Sequence, residues 1–548
     1  MSGVGKGITT SSIGTIFQAK GYKVNIIKAD PYLNVDAGTM NPTEHGETFV
    51  LESGLETDQD MGNYERFLNR SLLPCDYMTS GMVYSSVIAK ERALKYGGKC
   101  VEAIPHVRNE IVDRIRESAT KSKSDISVIE IGGTVGDYQN IMFIEAARLF
   151  KLENPDDVTI IMVSFLPIPG SIGEMKSKPT QNAVRQLNSY GLNADFIIAR
   201  SEVPLDERRK EKLAVSCNIL PSRIISAPDI KSIYDVPENF EKDNLGGLLE
   251  KSLKLKPRKT DLKEWLAFTD SIKKAKKEVS IAIVGKYFDT GDFVLSDAYV
   301  SVIEAIKFSA YKLGYTPKLL WLSSQKFEGA PAAVAKFCKE SFKDVGGILV
   351  PGGFGSGGIE GKINVIRYAR ENKIPYFGLC YGMQLMVIEY ARNVAKLKGA
   401  HTTEIDKRAT YPVIDIMEHQ KKLMATENYG GSMRLGSYPC VLKNGTHAYR
   451  EYGNAKWGNE KNSIRTTTER HRHRFEVNEK YVKTLEDAGL VFSGVSPDGH
   501  LMEIAELPEK AHPFFLGAQF HPELIARPLN PHPLFNAFVK KSANHSSK

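Results

Sequence analysis

Residues 378–384 read Gly378-Leu379-Cys380-Tyr381-Gly382-Met383-Gln384. The apolar run Ile374-Pro375-Tyr376-Phe377 leads in, and Leu385, Met386, Ile388 and Ala391 lead away at helical spacing. A cysteine between two glycines, where a strand becomes a helix, is the pattern of a nucleophile elbow. The tight turn lifts the sulfur clear of the sheet, and the helix N-terminus favours a thiolate. For a lone cysteine the competing reading is a buried structural residue. Gln519-Phe520-His521-Pro522-Glu523, about 140 residues downstream, decides against it by supplying a base and, two residues on, a carboxylate to orient that base.

Outward from the elbow, the chain reads as two α/β domains. Its 548 residues exceed what one core organises, and 42% hydrophobic with 25% charged residues is ordinary for a soluble globular protein. Strand-like runs at Val24–Lys28, Ile126–Ile131, Val158–Phe165, Asp195–Ala199 and Arg223–Ala227 alternate with helical patterns such as Ile141–Lys151 and Thr180–Tyr190. That alternation predicts largely parallel sheets flanked by helices. A lysine-rich stretch follows, and a second series starts at Val279-Ser280-Ile281-Ala282-Ile283-Val284-Gly285. The predicted division is therefore 1–253, a linker over 254–278 with some helix, and 279–548. A net charge of +8, spread along the chain, is mild for this size and gives no evidence for nucleic acid, although anionic substrates would fit it. Six scattered cysteines and no membrane-length apolar run predict a reduced, cytoplasmic protein without a membrane partner.

Several segments of the first half could handle phosphate. Ser2-Gly3-Val4-Gly5-Lys6-Gly7-Ile8 precedes a helix, and backbone N–H groups of such a turn can hold phosphate oxygens that Lys6 also reaches. The standard G-x-x-x-x-G-K-[ST] pattern is not met, because Gly7 stands where Ser or Thr is expected. A flexible N-terminus stays open as the alternative. Asp60, and Glu130 at the end of an apolar strand, occur where nucleotide-binding sheets place Mg²⁺ ligands; each alone could equally be a capping or solvated acid. Lys176 and Lys178 beside a helix start could hold a second triphosphate, or be solvated. In the second half, Pro351-Gly352-Gly353-Phe354-Gly355 can aim N–H groups at an oxyanion, with Leu379–Tyr381 contributing another. Arg470-His471-Arg472-His473-Arg474 reads as a basic segment lining a site rather than a nucleic-acid groove.

Together these residues resemble the CTP synthase family, an amidoligase (synthetase) domain of P-loop-like fold joined to a class I glutamine amidotransferase (glutaminase) domain. The resemblance runs from Ser2 to about Lys540. It is carried by Lys28–Asp36, Glu44–Glu47, Gly62–Phe67, Glu130–Asp137, Lys178–Gln181, Gly430–Gly436 and the Arg/His run through Asn478. It implies a ligase of pyrimidine biosynthesis that phosphorylates the C4 oxygen of UTP with ATP and replaces it with ammonia from glutamine. Carried over, ATP meets Gly3, Val4, Gly5, Lys6, Gly7, Ile8, Asp60, Pro228, Asp229 and Ile230, and Mg²⁺ meets Asp60 and Glu130. UTP or CTP meets Ser2, Asp137, Tyr138, Gln139, Lys176, Ser177, Lys178, Pro179, Thr180, Gln181 and Lys212. Cys380 becomes the nucleophile, His521 the base and then acid, and Glu523 its orienting group. Glutamine meets Gly353, Leu379, Tyr381, Gly382, Met383, Gln384, Glu404 and Arg474. The resemblance further implies GTP activation, CTP inhibition, an internal ammonia passage and a homotetramer, with filament assembly as an extension.

Four departures from the family pattern set expectations. The family's phosphate loop follows a strand and further glycines, whereas Met1 falls inside the loop, so the start is recorded late or the first strand is absent and the loop unanchored. Tyr381 replaces Leu or Phe, which leaves the backbone N–H, and hence the oxyanion hole, unchanged. Gly357 replaces an arginine, which weakens the expected GTP activation. Tyr138-Gln139 replaces Ile-Glu, which predicts weaker CTP feedback. Two other readings keep the same elbow. One is a cobyrinic acid amidase, opposed by Lys176–Gln181 and the Asp60/Glu130 pair. The other is a structural or regulatory assembly protein that retains the glutaminase beside an impaired synthetase site, supported only by the short start.

Overall fold

The structure is a computed structural model that describes residues 3–170, 173–286, 296–353, 355, 357–416, 433–461 and 464–546. The chain forms two compact units, Met1–Asp36 with Asp60–Thr269, and Ala37–Gln59 with Asp270–Lys548.

In the first unit, Val24–Asp30 (β1) is buried along its whole length, as expected of a central parallel strand. It lies between Tyr77–Thr79 (β2) and Ile126–Ile131 (β3), both parallel to it, in a register that sets Lys28 beside Glu130 and Tyr77. Ile161–Phe165 (β4), Phe196–Ser201 (β5) and Ile224–Pro228 (β6) form a second parallel sheet in chain order. β3 and β4 are edge strands, half-exposed over much of their length, and among the described residues nothing pairs with their outer sides. Helices Arg108–Ser122 and Ile141–Glu153 pack Ile111 and Phe143 on Ile27, while Lys178–Ser189 and Glu207–Cys217 pack Leu187 and Leu213 on Ile197. Each such burial is worth about 1.5–3 kcal/mol. Within the lysine-rich stretch, helix Lys263–Lys274 buries Trp265 against Phe67, ring centroids 5.1 Å apart, and its indole N–H donates to the Tyr234 carbonyl at 2.8 Å.

The second unit is built on a mixed sheet with ten strands among the described residues. Its parallel half runs Tyr315–Ser323 (β8), Lys277–Gly285 (β7), Gly347–Val350 (β9), Tyr376–Leu379 (β10) and Phe515–Ala518 (β16). An antiparallel half extends it through Met502–Glu506 (β15), Val491–Val495 (β14), Arg434–Leu442 (β11), Ile464–His473 (β13) and Asn459–Lys461 (β12). The elbow strand β10 is thus central, with the His521 segment leaving its neighbour β16. A short hairpin from the first half of the sequence, Phe49–Val50 with Glu56–Thr57, packs on the antiparallel half. There Arg470, fully buried, donates to the Val50 carbonyl at 3.1 Å, and Ser437 N–H donates to the Glu52 carbonyl at 2.9 Å. Residues Ala37–Gln59, which the sequence division places in the first domain, therefore belong to the second unit by packing.

Candidate active site

Cys380 ends β10 and caps helix Tyr381–Asn393 with φ +48° and ψ −99°, a conformation few side chains tolerate. Its glycine neighbours are obligatory for space. A Cβ on Gly382 would lie 2.2 Å from the Val350 carbonyl oxygen, and one on Gly378 would lie 2.7 Å from the Gly382 carbonyl carbon. Cys380 N–H donates to the Ala518 carbonyl at 2.6 Å, which ties the turn to β16.

His521, the candidate base, arrives from that same strand. His521 Nδ1 and Glu523 Oε1 are 2.7 Å apart, so the carboxylate holds the proton on Nδ1 and turns Nε2 toward the thiol. A Cβ on Gly352 would lie 2.9 Å from His521 Cε1 and 3.8 Å from Cys380 Cβ, so both side chains converge on the glycine loop after β9. Burial alone would lower the His521 pKa, but the charges of Glu523 and Cys380 outweigh it and raise it to about 10. The Gln519 amide donates to the Cys380 sulfur at 3.6 Å, and the thiol faces the Arg472 carbonyl at 3.9 Å. A pocket of about 670 Å³, open to solvent, surrounds the sulfur and is lined by Gly352, Gly353, Arg472, His521, Tyr299 and Glu47.

The remaining glutamine candidates divide. Leu379, Gly382 and Met383 are buried around the elbow, and Met383 packs on Gly517. The Gln384 amide is spent on the Phe475 carbonyl at 2.9 Å and on Gln519 at 3.3 Å, and so braces the turn. Glu404 accepts from Gly355 N–H at 3.0 Å, and burial raises its pKa. The Tyr381 hydroxyl donates to the Gly355 carbonyl at 3.3 Å, so Gly355 is held on both sides. Lys362, which has no role in the sequence reading, is buried 5.2 Å over the Tyr381 ring and is lowered to about 8 by burial and by Lys286. Arg474 is half-buried at the bend after β13, and Phe354 lies outside the described residues.

In the first unit, Gly3 and Gly5 take positive φ, and helix Lys6–Ala19 starts at Gly5 with no side-chain cap, leaving its first N–H groups available. The glycine at position 7 has a steric cause, because a Cβ there would lie 2.4 Å from Asp60 Oδ1. Asp60 and Glu130 converge on Lys28, whose Nζ lies 2.5 Å from Asp60 Oδ2 and 2.9 Å from Glu130 Oε1. The Tyr64 hydroxyl donates to the other Glu130 oxygen at 2.5 Å. Burial pushes both carboxyls up; Lys28 and Lys6 reverse this for Asp60, while Glu130 stays raised. Buried Glu130 and half-buried Asp60, meeting beside the start of helix Lys6–Ala19, form an oxygen donor set of the kind that suits Mg²⁺.

Arg200, which sequence reasoning missed, gathers the predicted ATP residues. It donates to the carbonyls of Val4 at 3.3 Å, Ala227 at 2.8 Å and Pro228 at 3.1 Å, and it pairs with Asp229 at 2.8 Å; Ile230 follows directly. The Lys176–Gln181 group leads into helix Lys178–Ser189. Lys176 pairs with Glu174, whose pKa is lowered by Lys176 and also by Lys212, and Gln181 donates to Ser177 Oγ. Pro179 occupies the first turn, and Thr180 bonds Ser164 in the interior at 2.9 Å. Asp137 accepts from Thr134 N–H at 2.8 Å, and Tyr138 and Gln139 project into solvent. Ser2 lies outside the described residues. Tyr299, Glu47, Lys28 and Arg200 had no sequence motif of their own, and Lys28 and Glu47 stood only inside quoted family segments; Arg472 lay in the basic segment read as lining a site, and it lines the thiol pocket.

Among the described residues no helix is long and apolar enough to cross a membrane. Residues 1–255 match the family described as CTP synthase N-terminus, and residues 294–541 match glutamine amidotransferase class-I. CTP synthase of Methanocaldococcus jannaschii is 45% identical over 549 residues, covering 100% of this chain and 98% of that relative. That of Caldanaerobacter subterraneus subsp. tengcongensis is 46% identical over 545 residues, covering 99% and 97%. Among solved structures, the Trypanosoma brucei CTPS glutaminase domain with bound acivicin is 33% identical, covers 48% of this chain and 94% of its own, and has a TM-score of 0.42. The chain belongs to the CTP synthase family.

Proposed function

We propose that the chain makes CTP from UTP, ATP and glutamine, with Cys380, His521 and Glu523 releasing the ammonia and the Lys6–Lys28–Asp60–Glu130 group serving the ATP-dependent step. The observation that carries this reading is whole-length similarity to CTP synthases in a chain that has both constellations assembled. The domain division is 1–253, 254–278 and 279–548 by sequence, with Ala37–Gln59 attached to the glutaminase by packing.

In the glutaminase, a protonated His521 stands beside the Cys380 sulfur. Cys380 attacks the glutamine amide carbon, and the charge that develops on oxygen meets the N–H groups of Gly353 and the elbow. His521 gives its proton to the leaving ammonia, then takes one from the water that cleaves the thioester, held throughout by Glu523. Glu404 and Arg474 receive the α-amino and α-carboxylate groups.

In the synthetase, the N–H groups from Gly3 to Ile8 and Lys6 cradle the ATP phosphates, and Pro228–Ile230 border the nucleoside. Lys176–Gln181, Lys212 and Asp137–Gln139 receive UTP or CTP. The γ-phosphoryl passes to the UTP C4 oxygen, ammonia adds at C4, and phosphate departs with that oxygen. Asp60 and Glu130 are the residues that would hold Mg²⁺, which supplies charge neutralisation at the phosphates. Lys28 keeps Asp60 ionised for that purpose. GTP activation, CTP inhibition, a homotetramer and a cytoplasmic location complete the reading on family grounds.

The test follows UTP conversion by absorbance, once with glutamine and once with ammonia. Cys380→Ala should lose only the glutamine-dependent rate. A folded parent enzyme that forms no CTP from either nitrogen source would defeat the proposal.

A further inference from the structure

Strand β13, which passes beside the thiol, carries two imidazoles that the amide chemistry leaves unused. The strand itself is part of the site, since the Arg470 carbonyl accepts from His521 N–H at 2.7 Å and the Arg472 carbonyl faces Cys380. Between and after them, His471 Nδ1 and His473 Nε2 lie 2.9 Å apart. His471 Nε2 faces Glu503 across 3.7 Å, and His473 Nδ1 faces Glu476 across 3.5 Å. Arg434 closes the circuit, donating to Glu476 at 3.0 Å and to Glu503 at 2.8 Å. No side chain of this ring is more than 8% exposed.

Proton accounting around the ring leaves little freedom. The contact between the imidazoles requires one of them to donate, and a neutral imidazole has a single N–H. If His471 donates from Nδ1, then His473 holds its proton on Nδ1 toward Glu476, and the bare His471 Nε2 faces Glu503. With the opposite direction, the bare nitrogen is His473 Nδ1 and it faces Glu476. In both cases an imidazole lone pair opposes a carboxylate oxygen, acceptor against acceptor. One further proton at that contact removes the conflict and makes the ring neutral, and it sits on the carboxyl rather than on the bare nitrogen because burial and the Arg434 charge both disfavour an imidazolium there. Without it a net charge of −1 is held away from water, which is costly. The atoms that lack a hydrogen-bond partner agree with this account: His471 Nε2, His473 Nδ1, Glu476 Oε2 and Glu503 Oε2.

We propose that Arg434, His471, His473, Glu476 and Glu503 hold one carboxyl proton, shared between Glu476 and Glu503 through the imidazole pair, and that this proton fixes the strand aligning Cys380 with His521. The titration directions agree. Burial, with Glu503 beside it, raises Glu476 to about 8, and burial raises Glu503 as well. Burial and Arg434 hold both imidazoles well below the usual histidine range. The other groups facing the ring are Asp498 and Glu469 toward Glu503, the buried Cys440 thiol, His521 toward the imidazoles, the Phe475 backbone toward His473, and the Tyr438 ring, which packs on Arg434 and His471. All five ring members are positioning residues, because none of them touches the reacting atoms.

The catalytic consequence rests on the glutaminase reading, whereas the proton itself can be observed without it. Infrared spectra of the full-length enzyme at pH 7 should show the carbonyl stretch of a protonated carboxylic acid, shifted in D₂O. The band should be lost in Glu476→Gln and in Glu503→Gln, where a permanent amide donor replaces the shared proton. Nucleotide-free glutamine hydrolysis by the parent should fall about tenfold per pH unit above about pH 8. Each single glutamine variant should flatten that decline up to about pH 10, where His521 loses its proton. The double variant, which leaves Arg434 without a counter-charge, should be less stable than either single one. Absence of the band in the parent, or an unchanged alkaline fall in both single variants, would overturn the proposal. A band accompanied by no glutamine hydrolysis in any form would support the ring and refute the glutaminase reading instead.

Discussion

Gly7→Ala puts the synthetase site to a sharp test. The added Cβ would stand 2.4 Å from Asp60 Oδ1 and 3.0 Å from Asp60 Cγ, where an unstrained carbon–oxygen contact needs roughly 1 Å more. Asp60 is the side that yields, since Gly7 sits in the first turn of a buried helix. Its movement breaks the 2.5 Å contact with Lys28, a charge-assisted bond worth about 1.5–3 kcal/mol. Replacing a helical glycine by alanine returns up to about 1 kcal/mol. Folding stability should therefore drop by only about 0.5–2 kcal/mol, too little to unfold the chain. Catalysis is less forgiving, because a displacement of about 1 Å in a positioned group can cost about 100-fold. CTP formation should fall by about that factor with glutamine and with ammonia alike, while nucleotide-free glutamine hydrolysis stays at the parent rate. CTP formation within threefold of the parent would refute the steric argument and the role given to Asp60.

Arg200→Met should raise the KM for ATP by about tenfold with a smaller change in kcat, because the guanidinium joins Val4 to Pro228 and Asp229; an unchanged KM counts against that linkage. Tyr381→Phe removes one neutral hydrogen bond on Gly355, worth about 1 kcal/mol, so glutaminase kcat should fall by about fivefold or less. A loss above 100-fold would mean that the hydroxyl does more than hold the loop. Glu56→Gln weakens the 2.7 Å pair with Arg472, whose side chain lines the thiol pocket, and should reduce glutamine hydrolysis about tenfold with ammonia-dependent synthesis as the internal control. Gln139→Glu should strengthen inhibition by CTP, measured against the parent under matched conditions.

Much of this was legible in the sequence because the informative features are local. The glycines at 378 and 382 announce an elbow since no Cβ fits there, and the strand-like run 24–28 announces the strand that the fold extends to Asp30. His521 and Glu523 were legible for the same reason, lying two residues apart on one turn. What could not be read depends on contacts between distant segments. Arg200 has no motif, and its meaning comes from meeting Val4 and Pro228 at the ends of two other elements. Residues 37–59 read as part of the first half because nothing in their composition shows that Arg470 and Arg472 are waiting for Val50 and Glu56. The basic run 470–474 was read as lining a site; alternation along β13 splits it, and the buried imidazoles at 471 and 473 turn away from the pocket that Arg472 lines.

The two sites solve one electrostatic problem with opposite signs. Burial alone would neutralise the groups each reaction needs: it pushes the Asp60 carboxyl up and the His521 imidazole down. In the first unit a buried lysine overrides burial and keeps Asp60 ionised; in the second, Glu523 and the cysteine keep His521 charged. The pH consequences are therefore opposite. Stability from the lowered Asp60 is present above its unfolded pKa near 3.8 and is lost as pH falls through the folded value. Stability from the raised His521 is complete below about 6.5 and is lost as pH rises through about 10. Near neutral pH Asp60 is fully ionised and His521 still protonated, so one chain holds at a single pH the carboxylate and the imidazolium that the proposed reactions require.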